Sequence, residues 1–272
     1  MSDPPASLYA AASAFTPASS YAPLANRTVL ITGGNGGIGL GMASACGAAG
    51  AGVIIWGRSE AKNTEAVARL SSEGVRARAF VCDVDETDAI ATTFEASIEA
   101  ADGRIDSVFA NAGRSGLGTP FLDLSLDEWR AVMLTNLDAV FLTLQTAARH
   151  MVANGGGSLV AVSSTSAIHG AANNVAYGAS KTALLGLVRG LAVGLARHKI
   201  RVNALVPGWT ITELSSKGYN NDVFLKATTQ RTPVRRWADP DEMGPAAVFL
   251  ADPTSTFHTG DTVVVDGGYT VF

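Results

Sequence analysis

Charge is scarce in this chain of 272 residues: Asp, Glu, Lys and Arg make up 16% of it, and 20 basic residues against 24 acidic ones leave a formal net charge of -4. That balance lacks the clustered basic face needed to neutralise a phosphate backbone, so no nucleic-acid partner is expected. Cysteine is scarcer still, with only Cys46 and Cys82, and neither C-x-x-C spacing nor a histidine cluster surrounds them. No metal site is therefore expected, and the two thiols read as buried and reduced in a cytoplasmic protein. No basic residue precedes Arg27, so residues 1–26, rich in Ala, Ser and Pro, lack the charged start of a signal peptide and read as a poorly ordered or docking tail. Residues 151–180 are nearly free of charge, but Asn154, Gly155, Gly156, Gly157, Asn173 and Asn174 interrupt them, and no membrane-spanning segment is expected.

What the chain has in quantity is apolar residues, 47% of the total, enough for a sizeable core. No composition break or linker divides the stretch after the tail, so 27–272 reads as one domain. From Arg27 onward, short β-branched runs alternate with longer stretches of helical periodicity, the pattern of strand, crossover helix and parallel strand. Candidate strands are Thr28–Thr32, Val53–Trp56, Ala77–Cys82, Ser107–Ala110, Ser158–Ser163, Arg201–Val206 and Thr262–Val265. Candidate helices are Gly37–Gly47, Glu60–Ser72, Glu86–Ala101, Asp127–Ala153, Val175–His198 and Pro240–Leu250. Right-handed crossovers turn these units into an α/β, Rossmann-type doubly wound fold: a seven-stranded parallel sheet with helices on both faces. Its ligand crevice lies beyond the carboxyl ends of the strands, so motifs just after strands carry the most weight.

Directly after the first strand stands Thr32-Gly33-Gly34-Asn35-Gly36-Gly37-Ile38-Gly39, opening a helix. Glycines there allow positive φ and close approach of a pyrophosphate, while the helix N-terminus offers free N–H groups and a positive dipole end. The second strand ends in Gly57-Arg58-Ser59, with no carboxylate to accept a ribose 2'-hydroxyl. Arg58 can instead grip a 2'-phosphate bidentately, with Ser59 adding a hydroxyl, which favours NADP(H) and leaves NAD(H) possible. Tyr177 and Lys181 are four residues apart in a helical stretch and share one face. A buried ammonium beside a phenol favours the phenolate and lowers its pKa toward the working range of a proton-transfer group. Ser164, at the end of the fifth strand and thirteen residues before Tyr177, lies where the crevice opens. Alternation along the strand sends Ser163 to the other face.

The glycine spacing T-G-x-x-x-G-x-G, with the order of the other motifs, resembles the classical short-chain dehydrogenase/reductase family over residues 27–272. The resemblance implies cofactor contacts from Gly33, Asn35, Gly36, Gly37, Ile38 and Gly39. It implies that Asp83-Val84, after the third strand, receives the adenine and that Asn111-Ala112-Gly113, after the fourth, lies beside the cofactor ribose. Pro207-Gly208-Trp209-Thr210-Ile211-Thr212 resembles the segment whose backbone and threonines, here Thr210 and Thr212, receive the nicotinamide carboxamide, and Val265-Asp266-Gly267-Gly268 resembles the family's ending. The family's catalytic set maps onto Asn136, Ser164, Tyr177 and Lys181. By that likeness Ser164 positions the carbonyl, Tyr177 donates the proton, Lys181 holds the ribose hydroxyls and tunes Tyr177, and Asn136, inside the long fourth helix, anchors a water.

The implied activity is hydride transfer between NADP(H) and a small-molecule carbonyl or secondary alcohol. Trp209, Tyr219, Phe224 and Trp237, in the lid region, and the stretch Ser115–Phe121 suggest a largely apolar pocket for a neutral ketone. His169 reads as a structural or solvated histidine. Ala179, Ala183, Gly186, Gly190, Ala192 and Gly194 let another backbone approach closely, compatible with the family's homotetramer or with packing on the chain's own sheet. The rival readings are an NAD(H)-dependent alcohol dehydrogenase on the same site and a non-catalytic NADP-binding sensor or scaffold.

Overall fold

The computed structural model describes residues 22–272; the greater part of the expected tail lies outside the described residues. Seven parallel strands form one sheet: β1 (Thr28–Thr32), β2 (Gly52–Gly57), β3 (Ala77–Val81), β4 (Ser107–Ala110), β5 (Gly157–Val162), β6 (Ile200–Pro207) and β7 (Thr262–Val265). Their order is β3-β2-β1-β4-β5-β6-β7, so the winding reverses between β1 and β4. There the neighbouring connections leave in opposite directions and open a crevice at the strands' carboxyl ends. The central strands are buried on both faces, which is why β4 and β5 read as largely apolar runs, while the polar Arg201 and Asn203 of β6 are buried against backbone carbonyls that accept from them. On edge strand β3 no residue is fully buried, and Arg78 and Val81 are exposed.

Helices α1 (Gly37–Ala48), α2 (Glu60–Ser72) and α9 (Gly244–Ala251) cover one face, where Met42, Cys46, Leu70, Ala247 and Leu250 pack on Ile31, Ile55 and Leu205. Helices α3 (Thr87–Ala100), α5 (Ala139–Ala153) and α6 (Val175–Leu195) cover the other with Phe94, Leu144, Met151, Leu184 and Val188. The helical stretches Leu126–Ala153 and Val175–His198 are long and apolar enough to cross a membrane by length and composition. In this fold their apolar residues supply that second core. Burial pushes the Cys46 thiol up to about 12, and the Cys82 thiol also rises, so both are poor nucleophiles. Leu24, within the stretch expected to be tail, is fully buried, and its N–H donates to Ala49 O at 3.0 Å.

Two stretches differ from the sequence expectation. The helix expected over Asp127–Ala153 is α4 (Leu126–Met133) and α5 joined by a π-helical turn, Leu134–Asp138. The widened turn buries Asn136, whose amide is spent on a neighbouring loop. The segment after β6 folds into α7 (Ser216–Tyr219) and α8 (Asp222–Arg231), the latter capped by Asn221, whose side chain accepts from Phe224 N at 3.0 Å.

Candidate active site

The crevice between β1 and β4 is lined by the glycine-rich turn. Gly33 and Gly37 have φ of +63° and +49°, conformations costly for any residue with a Cβ. A Cβ on Gly39 would collide with Gly33 O, so α1 starts hard against the turn, whereas one on Gly36 would meet nothing within 4 Å. Gly36, the N-cap, supplies no side-chain acceptor, and the first N–H groups of α1 face this open space. Backbone donors, a positive helix end and room for close approach fit a pyrophosphate. Ile38 is half-buried and packs into the core beneath. The Thr32 hydroxyl ties the turn to β4 by accepting from Asn111 N at 3.0 Å and Ala112 N at 2.9 Å, and Asn111 Nδ2 donates back to Thr32 O at 2.9 Å.

At the end of β2, Arg58 is exposed and has no ion-pair partner among the described residues. Ser59 caps α2, its hydroxyl accepting from Lys62 N at 3.4 Å, so that oxygen is already engaged. Gly57 is a glycine for a reason not visible in the sequence: a Cβ there would overlap the Asn35 amide and stand 2.5 Å from Asn63 Oδ1. Asn35 Nδ2 donates to Asn63 Oδ1 at 2.7 Å, and Asn63, buried in α2, donates to Gly57 O at 3.0 Å and Phe80 O at 3.1 Å. The place where a ribose-binding carboxylate would stand is thus filled by an amide pair. After β3, Asp83 accepts from Asp85 N at 3.1 Å and Val84 is buried.

Two of the four candidate catalytic residues, Asn136 and Lys181, meet at Gly113. A Cβ on Gly113 would lie 3.2 Å from Asn136 Oδ1 and 3.4 Å from Lys181 Nζ, so a bare glycine lets both reach the floor of the site. Lys181 Nζ is buried, donates to Val162 O at 2.8 Å and stands 5.7 Å from the centre of the Tyr177 ring. Ser163 Oγ donates to Lys181 O at 2.8 Å on the sheet face that α6 covers, which anchors α6 to the strand. Ser164 leaves the strand in extended conformation and caps the short 3-10 turn Thr165–Ala167 by accepting from Ser166 N at 3.1 Å. Asn136 Oδ1 accepts from Arg114 N at 2.8 Å while its Nδ2 donates to Arg114 O at 2.9 Å and Ser180 Oγ at 3.1 Å. Those bonds tie the side chain to the β4 loop and to α6. Ser180 in turn donates to Tyr177 O at 2.8 Å. Sequence reasoning missed Ser180 and Asn63, since each reads as an ordinary polar helix residue.

Burial raises the Tyr177 pKa above its ordinary value, with a hydrogen bond to Ser164 pulling the other way. The Lys181 ammonium is itself disfavoured by burial, which brings its pKa from 10.5 down to about 8.

Beyond β6, Pro207 closes the strand, and Gly208 carries no Cβ because one would lie 2.7 Å from Asp266 Cα in the Val265–Gly268 turn. Thr210 Oγ1 donates to Gly208 O at 3.1 Å. Thr212 stands over the glycine turn, its Cγ2 3.1 Å from where a Gly37 Cβ would be. The lid aromatics pack on one another: Trp209 stacks on Trp237 at 4.9 Å and meets Phe224 edge-on at 5.1 Å, while Tyr219 lies 5.5 Å from Trp237. Trp237, only 3% exposed, donates from Nε1 to Thr228 Oγ1 at 2.9 Å. Trp209 and Trp237 thus spend their faces on each other, while Tyr219 and Phe224 keep part of their surface exposed. Leu117 and Phe121 are exposed, and a cavity of about 290 Å³ between their loop and α4 is lined in part by Arg114 and Glu128.

A family model described as enoyl-(acyl carrier protein) reductase matches residues 33–270. The 5-keto-D-gluconate 5-reductase of Escherichia coli K12 is 38% identical over 248 residues, spanning 91% of this chain and 97% of that protein. A sorbose reductase of Schizosaccharomyces pombe is 35% identical, spanning 90% of this chain and 96% of its own length. Among solved structures, a gluconate 5-dehydrogenase from Burkholderia cenocepacia, in complex with NADP and tartrate, superposes with a TM-score of 0.87 at 36% identity, covering 93% of this chain and 98% of that one.

Proposed function

The chain belongs to the short-chain dehydrogenase/reductase family of NAD(P)-dependent oxidoreductases, and on that premise we propose that it transfers a hydride between NADP(H) and a ketone or secondary alcohol, with Tyr177 as the proton donor and acceptor. One observation carries the reading: the Lys181 ammonium and the Tyr177 ring, 5.7 Å apart, stand at the carboxyl end of β5 beside Ser164, over a glycine that keeps the floor clear. NADPH, when bound, supplies the hydride. The Tyr177 hydroxyl gives its proton to the carbonyl oxygen, and the O–H bond it breaks leaves a phenolate. Ser164 donates a hydrogen bond to that same oxygen, while the charged Lys181 favours the phenolate as it forms. Asn136 is a positioning residue: its three hydrogen bonds fix the Arg114 backbone and Ser180.

The cofactor would lie on the uncapped start of α1 with its carboxamide toward Thr210 and Thr212, its adenine toward Asp83 and Val84, and its ribose beside Asn111, Ala112 and Gly113. The exposed Arg58 beside a filled Gly57 position supports NADP(H) over NAD(H), and the gluconate 5-dehydrogenase structure bound to NADP agrees. A homotetramer is supported by Gly186, Gly190 and Gly194, where a Cβ would meet nothing within 4 Å of its own chain, and by the exposed Phe141, Val152 and Val193. The functional test is NADPH oxidation followed by absorbance over a panel of ketones, with NADH in parallel. Turnover with NADPH on at least one ketone is expected; turnover faster with NADH on every ketone would overturn the cofactor assignment.

A further inference from the structure

Three connections leave the carboxyl ends of neighbouring strands β5, β6 and β7 and bring together side chains that the proton chemistry does not use. His169, from the β5 connection, is five residues past Ser164, and its backbone N–H donates to Thr165 O at 2.9 Å. Arg231 is the last residue of α8 in the β6 connection, and Tyr269 follows β7. The Arg231 guanidinium carbon lies 4.3 Å from the centre of the Tyr269 ring, a cation over an aromatic face, and Nη2 is 3.3 Å from His169 Nδ1. His169 meets the edge of Tyr269 at 5.6 Å, and Tyr269 meets Trp209, in the segment after β6, at 6.4 Å.

The guanidinium has no carboxylate within ion-pair distance among the described residues. The acid closest to it in the Tyr269 turn, Asp266, is spent on its own backbone, accepting from Gly268 N at 2.8 Å and Thr270 N at 2.7 Å. Of the five N–H donors on a guanidinium, the contacts to Tyr269 Oη at 3.4 Å and to His169 engage one or two, so a fork remains for a planar anion. Packing against Tyr269 holds that fork in place and lowers the entropy lost when it binds.

We propose that Arg231, held by Tyr269 and His169, is a specificity-determining subsite for a carboxylate carried on the same chain as the reacting carbonyl, so that the substrate is a keto or hydroxy acid rather than a neutral ketone. This rests on Tyr177 and Ser164 marking the reacting end. A charge-assisted bidentate contact gives roughly ten- to hundredfold in affinity, with the lower end expected for an exposed arginine.

The test uses 5-keto-D-gluconate and L-sorbose, which share one carbon skeleton and differ in a terminal carboxylate against a hydroxymethyl group. Wild type should reduce the acid with the higher kcat/KM. Arg231→Ala should lose about tenfold more on the acid than on the sugar, mainly through KM. Arg231→Lys, which keeps the charge without the fork, should fall between. Equal loss on both compounds, or no preference for the acid in wild type, would overturn the subsite while leaving the chemistry at Tyr177 standing. Loss of both activities in Tyr177→Phe is the separate check on that chemistry. Calorimetric titration of D-gluconate and D-glucitol into NADPH-loaded protein reads the subsite without turnover: tighter binding of gluconate that disappears in Arg231→Ala is expected, and equal binding of the two in wild type overturns it.

Discussion

Gly57→Asp is the substitution that simple reasoning about cofactor choice would make, because it restores the carboxylate that reads a ribose 2'-hydroxyl. The structure predicts that it fails as a single change. A Cβ at position 57 overlaps the Asn35 amide and lies 2.5 Å from Asn63 Oδ1, so the new side chain must break the 2.7 Å Asn35–Asn63 hydrogen bond. Asn63 is 3% exposed, and an acceptor left unsatisfied there costs about 1–3 kcal/mol. Forcing extra atoms into a filled site adds about 1–3 kcal/mol, giving a total of about 2–6 kcal/mol. For a chain of this size each 1 kcal/mol lowers Tm by about 2–4 °C, so a fall on the order of 10 °C is expected. The accompanying shift of Asn35 disturbs the glycine turn, and binding of both NADPH and NADH should weaken. Adding Asn35→Ala removes the overlapping amide and should recover part of the Tm and reveal the gain toward NADH. The assay is thermal unfolding with fluorescence titration of both cofactors on the single and double variants. A single Gly57→Asp protein as stable as wild type and binding NADH more tightly would refute the packing argument.

Arg58→Ala should weaken NADPH by about tenfold or more and NADH by less than about twofold, measured by titration at one fixed salt concentration because the group is exposed; equal losses would remove the 2'-phosphate role. Lys181, with a pKa brought from 10.5 to about 8 by burial, should give ketone reduction a falling limb above about pH 8 as its charge is lost, and a profile flat to pH 10 would contradict its part in the reaction. The sign for stability is opposite. The folded protein releases this proton more readily than the unfolded chain, so the cost of burying the charge is full below about pH 8 and fades toward 10.5. Urea unfolding of wild type against Lys181→Met across that window should show the wild type gaining relative stability as pH rises.

The doubly wound sheet was legible because its central strands are buried on both faces. The strand Ile200–Pro207 is buried along its whole length although Arg201 and Asn203 interrupt its first half, and the expected range was short by one residue at each end. The cofactor turn was legible because its glycines are demanded by local backbone geometry at Gly33, Gly37 and Gly39. What the sequence hid depends on partners far along the chain. The π turn at Leu134–Asp138 scarcely disturbs the apolar periodicity of the helix around it, and the Arg114 backbone that its Asn136 binds is 22 residues away. Asn63 looks like a solvated helix residue until β2 and β3 deliver the carbonyls it binds. Arg231 and Tyr269 are 38 residues apart with no shared motif, and the lid aromatics could not be sorted into pocket wall or core before their mutual stacking was known. Helix α8 was missed because its exposed, largely polar surface carries little of the amphipathic pattern that marks a buried helix.

The central claim is that the Tyr177 hydroxyl moves the proton that accompanies hydride transfer. Tyr177→Phe keeps the ring and its packing against Lys181 and removes only that hydroxyl. With a ketone that wild type reduces, single-turnover NADPH oxidation should fall at least about 100-fold, while NADPH affinity stays within a few-fold. Ordinary turnover in the Phe variant would contradict the account.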